Sequence, residues 1–264
     1  MDHMMTQKKL KGKVFLVTGG TQGIGESVAN KLAANGAAGI TICGRNVQRG
    51  QQVAAALQSS GCESQFVKTE LENTDECIAL VESCDKKFGR LDGLVNAAGV
   101  TDRGTIFDTT PELWDRVFAV NVRAPFLLIQ GAAKIMKREG RGGAIVNIIT
   151  MSSHGGQPKL VPYSASKGAL ATLTKNVAHG LLEYRIRVNG LNIGWTNTPN
   201  EHSVQVAEGQ SENWLELAEA RQPFGRLLST EDVANAVLFL ISADSGVMTG
   251  SIIDFDQTIV GAYD

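Results

Sequence analysis

Short apolar runs alternate with amphipathic stretches along nearly the whole chain. Strand-like runs fall at residues 14–17, 39–43, 63–68, 93–95, 144–149, 187–191 and 251–254. Between them, apolar residues recur with a helical period at 24–34, 47–59, 75–88, 112–138, 163–182 and 231–242. That alternation predicts a parallel sheet of seven strands with helices on both faces, an α/β doubly wound architecture. The runs at 14–17 and 145–149 are apolar throughout, as strands covered on both faces are. No internal repeat, low-complexity tract or Pro/Ser-rich linker interrupts the order, so a single domain is expected over 11–264, after a flexible tail at 1–10.

One segment breaks the pattern. Residues 196–226 carry Pro199, Pro223 and two short helix-like pieces, with Trp214 inside and Trp195 just before them among acidic residues. A stretch of roughly thirty residues outside the sheet pattern of a compact domain is expected to be a binding lid, here a substrate cap.

Composition narrows the function classes. The 264 residues are 43% hydrophobic and 20% charged, enough for a sizeable core. A formal net charge of −2 and a pI near 6.1 provide no basic field for nucleic acid or anionic lipid. No apolar run approaches the ~20 residues a membrane span needs, and residues 1–11 have no signal-peptide core, so a cytoplasmic protein is expected. Cys43, Cys62, Cys77 and Cys84 show no C-x-x-C pair, which makes them reduced structural thiols. His3, His154, His179 and His202 are scattered without ligand spacing, so no metal site is expected. Ser153-His154 lacks a nucleophile elbow, which removes the hydrolase reading.

Two motifs carry chemistry. Directly after the first strand comes Thr18-Gly19-Gly20-Thr21-Gln22-Gly23-Ile24-Gly25, followed at once by a helix. Glycines at 19, 23 and 25 allow a tight turn and close approach of a pyrophosphate to backbone amides at a helix N-terminus. Tyr163 and Lys167 stand four residues apart in a helical stretch, which places a phenol and an ammonium on one face. A phenol titrates near pH 10, so it becomes a useful base at neutrality only where a positive charge stabilises the phenolate.

The Gly-x-x-x-Gly-x-Gly turn, Asn96-Ala97-Ala98-Gly99 after the fourth strand, Asn121 in the next helix and Tyr163-x-x-x-Lys167 together resemble the short-chain dehydrogenase/reductase family, from Lys11 to the C-terminus. The resemblance implies a Rossmann-type fold. It also implies an oxidoreductase that interconverts a secondary alcohol and a ketone by hydride transfer, with a polyol, sugar or hydroxy-ketone as substrate. Tyr163 would be the acid/base, Lys167 would bind the nicotinamide ribose and lower the phenol's pKa, and Asn121 would hold a water leading to solvent. The family's Ser thirteen residues before the Tyr is here Thr150, with Ser152 as the alternative hydroxyl.

Cofactor contacts are implied at Gly19, Thr21, Gln22, Gly23, Ile24, Gly25, Asn96, Ala97, Ala98, Gly99, Tyr163, Lys167, Gly194, Thr196 and Thr198, and at Glu70 and Leu71 beside adenine. At the end of the second strand, Gly44-Arg45-Asn46 puts glycine where NAD users carry an acid and leaves Arg45, beside Asn46, free to pair with a 2′-phosphate. NADP(H) is favoured over NAD(H). Ser152, His154, Gln157 and Trp195 are the residues expected to face a small-molecule substrate. Two departures stand out: Ile193 replaces the family's Pro, and Asp254-Phe255-Asp256-Gln257 lacks its Asp-Gly-Gly. The runner-up activity is 3-oxoacyl carrier-protein reduction, and the alternative of another class is a non-catalytic nucleotide-binding relative. The long helices at 112–138 and 163–182 are expected to pair between subunits in a homo-oligomer, a tetramer or dimer.

Overall fold

A computed structural model describes residues 8–262. The apolar runs become strands β1 (Val14–Thr18), β2 (Gly39–Gly44), β3 (Glu63–Lys68), β4 (Gly93–Asn96), β5 (Gly143–Ile148), β6 (Ile186–Ile193) and β7 (Ile252–Phe255). All pair in parallel, in the order β3-β2-β1-β4-β5-β6-β7. The chain winds outward from β1 to β3 and then restarts on the other side at β4. A crevice opens where the winding reverses, at the carboxyl ends of β1 and β4.

The side chains of β1 show why its sequence is apolar throughout. Phe15 and Val17 enter one core with Ile40, Ile42 and residues of helices α1 (Gly23–Ala34) and α9 (Thr230–Ile241). Val14 and Leu16 enter the other with Leu94, Ile145 and residues of α3 (Thr74–Phe88) and α5 (Ala124–Glu139). Successive residues face opposite layers, and both layers are apolar. Helix α2 (Val47–Ser59) covers β2 and β3 on the first side, and α6 (Val161–Gly180) lies with β6 on the second. All four cysteines are free and buried. Burial pushes the Cys43 thiol up to about 12 and the other three up to about 11.

Three expectations need correction in detail. The helix expected at 112–138 is α4 (Pro111–Phe118), a π turn at Ala119–Arg123, and α5. Pro125 has no N–H to give the carbonyl of Asn121 one turn back, so the regular ladder is interrupted there. Helix α6 starts at Val161 and ends at Gly180, not at 163 and 182, with Pro162 in its first turn. Of the tail expected at 1–10, residues 1–7 lie outside the described residues, while Leu10 is fully buried and its N–H donates to Asn35 O at 3.0 Å.

The irregular segment folds as α7 (Pro199–Ala207) and α8 (Trp214–Glu219). Its two ends are stitched together: Asn197 N–H donates to Leu228 O at 2.8 Å and Leu228 N–H to Trp195 O at 3.0 Å. Trp214, Ala218 and Leu227 form a small core of their own within it. No helix among the described residues is long and apolar enough to cross a membrane.

Candidate active site

The crevice is a cleft of about 930 Å³, with the glycine turn at one end and the Tyr163 wall and cap at the other. The turn is held by backbone geometry. Gly19 and Gly23 have φ of +65° and +58°, and a methyl on Gly25 would lie 2.3 Å from Gly19 O. The Thr18 hydroxyl accepts the N–H groups of Ala97 and Ala98, both at 3.1 Å, locking the β1 turn to the loop after β4. Gln22, at the head of α1, places no side chain on the first-turn amides. A bare, glycine-walled helix start of this kind fits a pyrophosphate, and the residues present therefore fit a dinucleotide.

At the adenosine end the cleft is lined by Arg45, Asn46, Thr69, Glu70 and Leu71. A methyl on Gly44 would sit 2.8 Å from Thr21 Cγ2, so Thr21 occupies the space an acidic side chain there would need. Asn46 uses its side chain to cap α2, accepting the Arg49 N–H at 2.9 Å. Arg49 also lines this end, its guanidinium hydrogen-bonded to Gln22. Sequence reasoning missed Arg49; its place in the first turn of α2, just after Arg45-Asn46, was the available signal.

At the reacting end α6 brings Tyr163 and Lys167 to the cleft, and the end of β5 brings Thr150. Lys167 is buried, donates to Ile148 O at 2.8 Å and stands 5.9 Å from the centre of the Tyr163 ring. The electrostatics correct the sequence expectation. Enclosure pushes the Tyr163 phenol up to about 12, and the Thr150 hydroxyl is the group that pulls it back most strongly. Lys167 is itself pushed down to about 8 by burial. In the protein alone desolvation is the largest influence on both groups, because each charged form gives up water.

The two candidate hydroxyls now separate. Thr150 is the hydroxyl that lowers the phenol's pKa. Ser152 turns away and donates to Gln157 Oε1 at 2.6 Å.

Three other expected site residues, Asn121, Asn96 and His154, lie beside the cleft rather than on it. Asn121, turned inward by the π turn, is fully buried; it accepts from Val100 N–H and donates to Val100 O and Ser166 Oγ, each at 3.0 Å. Its amide holds the loop carrying Gly99, where a methyl would come within 3.4 Å of both Asn121 Oδ1 and Lys167 Nζ. Asn96 is likewise buried and donates to Asn147 Oδ1 at 2.8 Å, so it braces β4 on β5 while Ala97, Ala98 and Gly99 line the cleft. His154 lies outside the cleft lining, bonded to Asp254 at 2.9 Å, because the loop after β5 bends it toward β7. Trp195 lines the cleft, stacked 6.1 Å from Trp214 and donating to Glu201 at 2.8 Å.

The cap is tied down by residues that the sequence did not single out for it. Arg103, in the loop after β4, pairs with Glu208 at the end of α7 at 2.6 Å, and both line the cleft. Gln257 accepts the Phe224 N–H at 2.8 Å and donates to Arg226 O at 2.7 Å, clamping the far end of the cap. Asp256 lies over Gly194, where a methyl would be 1.8 Å from its Oδ1. Ile193 continues β6 by pairing with Phe255, a strand position that suits a residue with an N–H better than Pro. Thr196 Oγ1 donates to Gly194 O at 3.0 Å, and Thr198 caps α7 by accepting the Glu201 N–H at 3.1 Å.

Comparison with known proteins agrees with this geometry. A family model described as enoyl-(acyl carrier protein) reductase matches residues 19–257. The chain is 36% identical over 249 residues to a 3alpha-hydroxysteroid dehydrogenase of Mediterraneibacter gnavus, covering 94% of this chain and 96% of that one. A crystal structure of a short-chain type dehydrogenase/reductase from Mycobacterium marinum superposes with a TM-score of 0.87 at 30% identity, covering 97% and 98% of the two chains. That of a gluconate 5-dehydrogenase from Burkholderia cenocepacia, in complex with NADP and tartrate, does so with 0.86 at 29%, again over 97% and 98%. The chain belongs to the short-chain dehydrogenase/reductase family, whose members bind a nicotinamide cofactor and act on CH–OH groups.

Proposed function

We propose that this protein is an NADP(H)-preferring oxidoreductase that interconverts a small polar secondary alcohol and its ketone. The observation that carries the reading is the meeting of Tyr163, Thr150 and Lys167 on one wall of the cleft that the glycine turn opens. In the reducing direction Tyr163 gives its proton to the carbonyl oxygen as that oxygen gains charge, and the Thr150 hydroxyl donates to the same oxygen. A bound nicotinamide cofactor would supply the hydride and, once oxidised, a positive charge. Lys167, held on Ile148 O, would use its remaining N–H groups to hold the ribose hydroxyls. Asn121 keeps the Gly99 loop in place.

A phenol held near 12 is almost entirely protonated at neutrality, which suits the general acid of ketone reduction. Arg45 and Arg49 support NADP(H), since a 2′-phosphate would meet two cations where Gly44 leaves no acid. The partner is a small molecule, and the protein is a cytoplasmic homo-oligomer in this proposal. Carrier-protein reduction is disfavoured, because the exposed cap residues Glu212 and Glu216 would repel an acidic carrier.

The test follows nicotinamide absorbance with NADPH or NADH and a panel of polyols, sugars, hydroxy ketones and plain ketones. Turnover that Tyr163→Phe lowers by about 10²–10⁴-fold while the cofactor still binds supports the proposal. Cofactor binding without turnover of any substrate would leave a nucleotide-binding relative instead.

A further inference from the structure

The wall beyond Thr150 continues as a chain of polar contacts that the reaction itself does not require. Thr150 Oγ1 lies 3.4 Å from Ser152 Oγ, and Ser152 Oγ donates to Gln157 Oε1 at 2.6 Å. These two contacts put Gln157 Oε1 within about 6 Å of Thr150 Oγ1. Gln157 is exposed at the cleft rim, and with its oxygen held by Ser152 its Nε2 is the end left over. Nε2 has no hydrogen-bond partner among the described residues, although Ser152 and Gln157 both line the cleft. An amide tethered to a buried serine at the cleft, with two N–H donors not used within the protein, is available to an acceptor on the substrate.

We infer that Gln157 is a specificity-determining residue that recognises a second oxygen on the substrate, close to the carbon that reacts, and that Ser152 is its positioning residue. The substrate class is then a vicinal or near-vicinal diol and the corresponding hydroxy ketone, rather than a monofunctional alcohol. The span from Thr150 sets the separation. A carbonyl oxygen bonded to Thr150 and a second oxygen bonded to Gln157 fit one molecule when they sit on adjacent carbons or one carbon further apart. The inference rests on the proposed reading of Tyr163 and Thr150 as the centre that handles the reacting oxygen.

The test uses matched probes, 2-hydroxycyclohexanone against cyclohexanone and cyclohexane-1,2-diol against cyclohexanol, with the full-length protein. The expected result is a kcat/KM at least tenfold higher for the hydroxylated member of each pair. Gln157→Leu is expected to remove that preference by lowering only the hydroxylated member, mainly through KM, and Ser152→Ala to remove part of it. A wild-type ratio near one overturns the inference, as does a Gln157→Leu loss shared equally by both members. If no probe turns over, the proposed activity fails separately. The inference is then decided by titrating the NADP⁺-loaded protein with the same pairs and following intrinsic tryptophan fluorescence, where equal affinity within a pair overturns it and discrimination that Gln157→Leu abolishes sustains it.

Discussion

The two ends of the cleft are built by different means. At the cofactor end the surface is backbone: Gly19, Gly23 and Gly25 shape it, and Thr18 fastens it to Ala97 and Ala98, with side chains excluded by contacts as short as 2.3 Å. At the substrate end the surface is side chains, and the ties run between segments far apart in sequence, Arg103 to Glu208 and Gln257 to Phe224 and Arg226. Backbone geometry tolerates almost no substitution, whereas a set of side-chain ties can be varied one at a time. One end is thereby fitted to a constant ligand and the other to a variable one.

The hardest break in that contrast is at Gly25. A Val there has its Cβ 2.3 Å from a backbone oxygen, which no rotamer relieves. Gly25→Val is expected to abolish measurable cofactor binding, a loss of roughly 10³-fold or more given the several kcal/mol of overpacking and strain. Equilibrium dialysis with NADPH would show it. Binding within tenfold of wild type would mean that the turn is softer than its contacts indicate.

Lys167 lies where the two ends meet, and its burial has a thermodynamic signature. Its folded value near 8 is below the ordinary lysine value of 10.5, so the unfolded chain binds the proton more tightly. Both states are protonated below pH 8, where the penalty is fully present. Between pH 8 and 10.5 the folded protein sheds the proton first, and stability rises relative to a chain without this group. Lys167→Met should therefore be the more stable protein at pH 7, by on the order of 2–3 kcal/mol. Its advantage should shrink as urea midpoints are measured at rising pH. Tyr163 and the four buried thiols titrate alike in both proteins and cancel. A difference that stays constant from pH 7 to pH 9.5 would show that the ammonium is not desolvated.

A smaller effect is expected at the adenosine end. Replacing Arg45 and Arg49 together by Ala should weaken NADPH about 10–100-fold while changing NADH by less than about threefold, since charge-assisted bonds to phosphate contribute about 1.5–3 kcal/mol. Parallel KM measurements with the two cofactors decide it. An equal loss for both would assign the arginines to shared parts of the dinucleotide.

What the sequence made legible follows the same division. The central strands at 14–17 and 145–149 were readable because double burial leaves an unbroken apolar run, and the cofactor turn was readable because it needs glycine at set spacings in one short segment. The cap was visible only as an interruption at 196–226, and its stitching could not be read, since Leu228, Gln257 and Arg103 meet it from three separate parts of the chain. His154 and Asn96 were misplaced for a related reason: adjacency to a motif says nothing about which way a side chain turns, and both turn toward neighbouring strands. The Tyr163 electrostatics were missed because desolvation depends on enclosure by the folded chain, which helical spacing does not reveal.

The least disruptive break separates the cap ties from each other. Gln257 makes two hydrogen bonds to the cap backbone, each contributing about 0.5–1.5 kcal/mol, so Gln257→Ala should raise the substrate KM about fivefold through a looser cap. The cofactor KM should stay unchanged, because the glycine turn does not depend on the clamp. The Arg103–Glu208 pair is about one-third exposed on each side, so it is screened by salt and should contribute less than about 1 kcal/mol. Arg103→Leu is therefore expected to raise the substrate KM no more than about threefold at low salt and to match wild type near 1 M salt. The Gln257→Ala effect should persist there, since neutral hydrogen bonds are not screened. If salt erased both effects alike, the cap would be held by charge alone, and the clamp from the C-terminal segment would have no part in holding it.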